Sequence, residues 1–221
     1  MITVYDKNLV KIGILDETIN VSYERRANTL WTASFSLRID DAKNDLCQPF
    51  NFVEITDIDG EYIGLFRIIP AKTRKLIEIN EVTYQCEHVL ATLLNDVLFG
   101  YHHRANYNTR DNIAYVLSHQ TTENWRLGDV ELTRFFHYKW ENENGLLGVL
   151  FSITEPFDEP YMWTWDTRSY PWTLNLVKPE TNPSAEVRFG KNLVNIERDI
   201  DPSNIVNRLY PLGAGEGVNQ L

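Results

Sequence analysis

Three carboxylates, Glu155, Asp158 and Glu159, crowd around Pro156 and Pro160. Two acids on opposite sides of a sugar ring can hydrolyse a glycoside, one as proton donor and the other as base or nucleophile. That arrangement is set by a fold, not by adjacency, and three acids in a proline-bounded turn read more simply as a solvated loop. The histidines are His88, His102, His103, His119 and His137. His102 and His103 with a distant third could hold a metal, but there is no HExxH and no other ligand spacing to support one. Cys86, Glu87 and His88 bring a thiol and an imidazole together in sequence, whereas catalytic pairs are assembled from separate elements. No GxSxG, phosphate-cradling loop or dinucleotide fingerprint is present. No catalytic, cofactor-binding or metal-ligating residue is assigned, and no cofactor is expected.

The aromatic residues offer a second kind of chemistry. Tyr161, Trp163 and Trp165 share one face of a strand, and Tyr170 and Trp172 share one face of the next. Such a platform could stack sugar rings. It equally describes cross-strand pairs in a core or a subunit interface, and that reading is preferred.

The elements that would position these residues are strands first. Over residues 29–39, Trp31, Ala33, Phe35, Leu37 and Ile39 alternate with polar neighbours, the period of a strand with one buried face. Asp59-Gly60 separates FVEITDI from EYIGLFRII, which predicts a hairpin with a type I′ turn. LIEINEVTYQC, residues 76–86, predicts another strand and puts Cys86 beside Val82 and Tyr84 as a core residue. Several strands with short connections point to a barrel or sandwich.

The pattern then changes. From His88 to Phe99 the apolar residues Val89, Leu90, Leu93, Leu94, Val97 and Leu98 recur at helical spacing, with Gly100 as a stop. His88 would stand at the junction, where an imidazole often hydrogen-bonds the chain ends. Further helices are predicted over 111–119 and 143–154, the latter closed by Pro156. Residues 121–140 read as loop and short strand. YMWTW and PWTLNLV flank the turn Asp166–Ser169 and predict a hairpin, and alternation returns over 186–200. The expected class is α+β and β-rich. The order of elements predicts a barrel with a mixed insertion or a second domain. The closing RLYPLGAGEGVNQL reads as a strand and a Gly-rich turn leading into something further, which suggests a piece of a longer protein.

Composition narrows the partners. Lys and Arg total 21 against 31 for Asp and Glu, a formal net charge of −10, so a surface gripping nucleic acid is not expected. Cys47 and Cys86 form no CxxC and are expected as free buried thiols. The start, MITVYDKNLVKIGIL, lacks the basic opening and apolar run of a signal peptide, and no membrane anchor is foreseen.

The strand–turn–strand opening ITVYDKNLVKIGIL, the segments EYIGLFRIIPAKTRK and EVTYQCEHVLATLLNDV, and the ending NIVNRLYPLGAGEGVNQL resemble, in this order and spacing, phage tail-tip proteins of the prophage endopeptidase tail, or tail-associated lysin, family. The resemblance spans essentially the whole chain. It implies a fold like the baseplate hubs of contractile-tailed phages, with an N-terminal β-barrel hub domain over residues 1–87, a mixed α/β middle domain over 88–185 and the start of a second barrel-like module over 186–221. It also implies a homotrimeric ring at the distal tail tip of the virion, assembled in the host cytoplasm. The implied partners are the distal tail protein ring and the tape measure protein, with DNA passing through the channel without tight binding. The family name implies peptidase activity, but in such proteins hydrolysis usually belongs to regions C-terminal to the hub, so this chain is expected not to be an enzyme. Competing readings are a peptidoglycan hydrolase acting through Glu155–Glu159 and a wall-carbohydrate-binding module using Trp163 and Trp165.

Overall fold

A computed structural model describes residues 1–75, 80–181, 186–191, 193, 197 and 208. The chain divides into two compact units, Met1–Pro179 and Glu180–Leu221. The first holds β1 (Ile2–Tyr5), β2 (Lys11–Leu15), β3 (Ile19–Glu24), β4 (Thr32–Arg38), a 3-10 turn (Ala42–Leu46), β5 (Phe52–Thr56), β6 (Tyr62–Lys75) and β7 (Asn80–His88). A second 3-10 turn (Val89–Leu94) follows, then β8 (Val97–Arg104), α1 (Thr109–Leu117), β9 (Trp125–Val130), β10 (Tyr138–Asn144), α2 (Leu146–Ser152), β11 (Met162–Asp166) and β12 (Trp172–Val177). In the second unit Phe189 and Leu193 form an isolated bridge. Most of the pattern expected over 186–200, the Gly-rich ending and the second barrel-like module lie outside the described residues, as do residues 76–79.

Strands β1 to β7 form one antiparallel sheet in the order β2-β1-β5-β6-β7-β4-β3. Two hairpins, β1–β2 and β3–β4, thus flank the meander β5–β6–β7. Laid flat, seven strands would be about 29 Å wide at the usual interstrand spacing. Yet β2 and β3, on opposite edges, are joined by only Asp16–Thr18, a link that can reach at most about 14 Å from Leu15 to Ile19. The sheet must therefore curl. Its enclosed face carries Val4, Phe35, Leu37, Val53 and Phe66, all with no exposed surface. The expected barrel does not close by hydrogen bonds, because no ladder joins β2 to β3 among the described residues. β3 is irregular between Ile19 and Ser22, with Asn20 at φ 53°, and a bulged edge offers no regular ladder to a partner.

The predicted alternation on β4 holds, with Phe35 and Leu37 buried and Thr32 and Arg38 exposed. Ser36 departs from it: it is buried, and its hydroxyl pairs with Thr83 (2.9 Å). The Asp59-Gly60 hairpin also forms, but with a different turn. Gly60 donates to the Asp57 carbonyl (3.1 Å), Asp57 donates to Glu61 (2.8 Å), and only Gly60 of the pair is left-handed (φ 82°). This is a type I turn closed by a glycine bulge rather than type I′.

A second hydrophobic cluster gathers the remaining elements of this unit, together with Tyr5, Leu9, Phe52 and Leu65 from the sheet. Strand β12 pairs antiparallel with β11, the predicted hairpin, and parallel with β9, and β8 pairs with β10. The helix expected over His88–Phe99 is not one. Helical spacing survives only as the 3-10 turn Val89–Leu94, after which Val97–Arg104 becomes β8. The register Val97↔Asn144 comes from a strand far along the chain, which no local period encodes. Gly100, expected as a stop, sits inside β8 at φ 95° and donates to Asn142 Oδ1 (2.9 Å). Helix α1 starts where Asn108 Oδ1 accepts from Asp111 N (2.8 Å). Helix α2 is shorter than predicted, because Glu143 and Asn144 are taken by β10.

Asn28 clips the β3–β4 hairpin to the edge of β11. Its amide donates to the Tyr161 carbonyl (3.2 Å) and accepts from Trp163 N (2.8 Å), so one side chain mimics a passing strand. Asn28 is itself left-handed (φ 59°), a conformation that Asn tolerates and Ala resists. Asn28→Ala is expected to lose about 1–3 kcal/mol in urea unfolding. Asn28→Gly, which keeps the backbone but not the clip, should recover part of that loss.

Candidate functional site

The carboxylates singled out from sequence do not converge. Glu155 and Asp158 are exposed. Glu159 is ion-paired with Arg134 (2.5 Å) and Lys178 (3.8 Å). Two solvated acids and one neutralised acid lack the facing pair that glycoside hydrolysis requires. His102 Nδ1 pairs with Tyr115 Oη (2.7 Å) and its Nε2 with the Phe99 carbonyl (3.0 Å), while His119 Nδ1 bonds the Tyr115 carbonyl (2.8 Å). The His103 and His137 rings lie 6.5 Å apart. Among the described residues no group of three His, Cys, Asp or Glu side chains is placed to hold a metal.

Both cysteines are free and buried. Burial pushes the Cys47 thiol up to about 12 and raises Cys86 further in the same direction. A thiol must ionise to act as a nucleophile, so neither is poised for chemistry. Iodoacetamide at pH 8 is accordingly expected to leave both unmodified in the native protein and to label both in guanidinium. Mass spectrometry reads the outcome.

The aromatic platform is largely interior. Trp163 is 3% exposed and Trp172 2%, and Tyr161 and Trp165 pack against the second cluster. Trp163 Nε1 bonds Thr154 Oγ1 (3.3 Å), so this indole is committed to the core. Trp163 is thus lost to a stacking surface, while Trp165 is half-buried.

What the aromatics do instead is enclose His88. Its ring is fully buried, 5.0 Å from Trp165, 5.5 Å from Trp31 and Phe66, and 6.4 Å from Trp125. Nδ1 accepts from Leu90 N (3.1 Å) and caps the 3-10 turn, the junction role expected of it. With no charge nearby to compensate, burial drives its pKa down to about 3.

Three surface cavities stand out. One of about 260 Å³ lies between Arg25, Arg26 and Trp31 on one side and Met162–Trp165 on the other. Both arginines there are already paired, with Glu61 (3.0 Å) and Glu24 (2.6 Å). A second, of about 280 Å³, runs along α1 and β9 and is shallow and open. The third, of about 200 Å³, is bounded by Tyr5, Leu9, Glu54, Leu65, Arg168 and Trp172. Sequence reasoning missed the last. Glu54, from β5, and Arg168, from the β11–β12 turn, carry no motif and meet only through the fold.

No protein-family model matches the chain, and no curated protein matches its sequence. Solved structures do share its architecture. The prophage tail protein gp18 from Listeria monocytogenes EGD-e aligns over 87% of this chain and 56% of its own, with a TM-score of 0.63 at 12% identity. The chain has the fold of prophage tail proteins. The 43 kDa tail protein of prophage MuSo2 from Shewanella oneidensis gives a TM-score of 0.56 at 12% identity, over 88% of this chain and 59% of that one. The tail protein from Neisseria meningitidis MC58 gives 0.54 at 11%, over 79% and 49%. The chain thus spans about half to three fifths of the length of these structures.

Proposed function

We propose that this chain is a structural component of a phage or prophage tail, the hub at the distal tip of the virion tail. The observation that carries this reading is the fold shared with three tail proteins, two of them from prophages, over 79–88% of the chain. In it, residues 1–87 form the first hub module, 88–185 the mixed α/β middle and 186–221 the opening of a second barrel-like module. Three copies close into a ring that docks on the distal tail protein, meets the tape measure protein and surrounds the DNA channel. A closed ring is a heterologous contact that satisfies every copy. A net charge of −10 suits a passage that must not hold DNA. Host-recognition or lytic work falls to regions beyond this hub, in keeping with the scattered acids around Pro156.

Sedimentation of the purified chain over a wide concentration range tests the ring. A species of three times the chain mass is expected, and a monomer at every concentration sinks the reading. Release of soluble fragments from peptidoglycan, lost on Asp158→Ala, would replace it with a hydrolase.

A further inference from the structure

Among the described residues Phe99, on β8, is the most exposed aromatic side chain, at 82%. Val97 and Tyr101, its neighbours on the same face, are exposed too, while Leu98 is fully buried on the other. Strand β10 covers one edge of β8, and no described strand pairs with the other. The pairing skips at Phe99. Glu141 faces Tyr101 and Glu143 faces Leu98, so Phe99 and Gly100 together stand opposite Asn142 alone. Such a bulge re-aims a side chain, and an apolar strand at a bare edge is normally blunted or covered. Elsewhere, the cavity of about 260 Å³ between the β3–β4 hairpin and β11 is of a kind to receive a ring. Ala27 is exposed and Trp31, Met162 and Trp165 are half-buried, so its wall presents apolar surface. An apolar cavity of about 150 Å³ already holds a benzene molecule. The β11 edge beside it is open. Asn28 takes the Tyr161 carbonyl and the Trp163 N–H, and by strand alternation the Trp163 carbonyl and Trp165 N–H face the same way. Among the described residues neither of these two groups has a partner.

We propose that Phe99 of one copy of this chain enters the cavity between Trp31, Met162 and Trp165 of the next copy. Both halves of the contact are present on every chain. Phe99 is too exposed to touch a cavity of its own chain and does not line this one. An exposed apolar side chain and a pocket elsewhere on the same molecule join copies head to tail, the geometry from which rings are built. The open Trp163 carbonyl and Trp165 N–H meet the main chain that carries the incoming ring. The charges at the rim are complementary. Glu141, opposite Tyr101 on β10, is exposed and in no ion pair among the described residues. Arg26, at the cavity mouth, is paired only with Glu24, both side chains well exposed, an arrangement that contributes little in water. Glu141 gives Arg26 a second carboxylate as Phe99 seats. This contact rests on the ring of copies proposed above and names two surfaces that join its subunits.

The test compares the 221-residue chain with its Phe99→Ser and Ala27→Arg variants by sedimentation over a wide concentration range. Both positions are exposed, so the melting temperature should not change. Each variant alone should fall apart at a concentration at least about tenfold above that of the parent. Mixed together, the two variants retain one intact pair of surfaces and should form dimers and nothing larger. In a second arm, chains carrying Phe99→Cys are mixed with chains carrying Ala27→Cys and treated with a short thiol cross-linker. A covalent dimer of the two is expected, since the native cysteines are buried. Three results overturn the contact. Parent-like assembly in both variants does so while leaving the ring, whose subunits then meet elsewhere. A parent that is monomeric at every concentration and gives no mixed cross-link removes contact and ring together. Cross-linking only between two Phe99→Cys chains makes the contact face to face instead of head to tail.

Discussion

Lowering the pH from 7 to 5 is expected to remove about 2 kcal/mol of unfolding free energy through His88 alone. In the folded protein burial holds this imidazole neutral down to about pH 3. In the unfolded chain it takes up a proton near its ordinary value of about 6.5. Between those two values the unfolded state binds the extra proton, so stability rises with pH. The contribution is complete above about 6.5 and is lost as pH falls towards 3, at about 1.4 kcal/mol per pH unit. The rings around His88 belong to Trp31, Phe66, Trp125 and Trp165, none of which can balance an imidazolium with a negative charge. The informative variant is His88→Asn. It keeps a side-chain acceptor for the Leu90 N–H, as a capping residue should, but cannot titrate. Urea unfolding at pH 7 and pH 5 should show the difference between the two shrinking by about 2 kcal/mol in the variant. An undiminished pH dependence would mean that other groups set the acid sensitivity.

The second large effect is expected at Trp172. Its indole is 2% exposed, with ring centroids 6.0 Å from Phe52 on the curled sheet, 5.4 Å from Trp125 on β9 and 5.5 Å from Tyr170. It therefore joins the outer face of the large sheet to the three-stranded one. Truncating such a side chain removes its burial and leaves a void that both layers border. Trp172→Ala should cost about 3–5 kcal/mol and lower the melting temperature by about 10 °C or more for a unit of this size. Tyr170→Ala provides the contrast. Tyr170 is half exposed, and its hydroxyl makes one hydrogen bond, to Asn124 Oδ1 (3.1 Å), so its loss should cost about 1 kcal/mol. Equal losses at the two positions would show that the junction does not rest on the buried indole.

Strands are legible where clean alternation coincides with turn residues. β4, the β5–β6 hairpin and the β11–β12 hairpin follow from alternation and turn residues alone. The signal failed where partners are distant. Val97 and Leu98 continue the apolar spacing of Val89–Leu94, and only pairing with β10 makes them a strand. Turn type was lost for a similar reason: Asp-Gly fits several turns, and register against β6 selects among them. The acids around Pro156 drew attention because they are neighbours in sequence, but Glu159 pairs with Arg134 and Lys178 rather than with them. Glu54 and Arg168 drew none, because their proximity exists only after β5 and the β11–β12 turn have been brought together. His88 lies between these cases. Its capping role follows from position at an element junction, whereas its aromatic enclosure gathers Trp31, just before β4, with residues from β6, β9 and β11.

The strand order has a consequence for how the protein is made. The hairpins β1–β2 and β3–β4 emerge first from the ribosome and can zip up on their own, yet in the finished sheet they never touch each other through hydrogen bonds. Each must wait for the meander that comes to lie between them: β1 for β5, through Ile2↔Ile55, and β4 for β7, through Thr32↔Glu87. Pairings this far apart in sequence slow folding, because a long loop must be closed before any contact rewards it. A nascent chain stalled before β7 would leave the β4 edge of the second hairpin uncovered. Synthesis through His88 is the point at which this sheet can first exist.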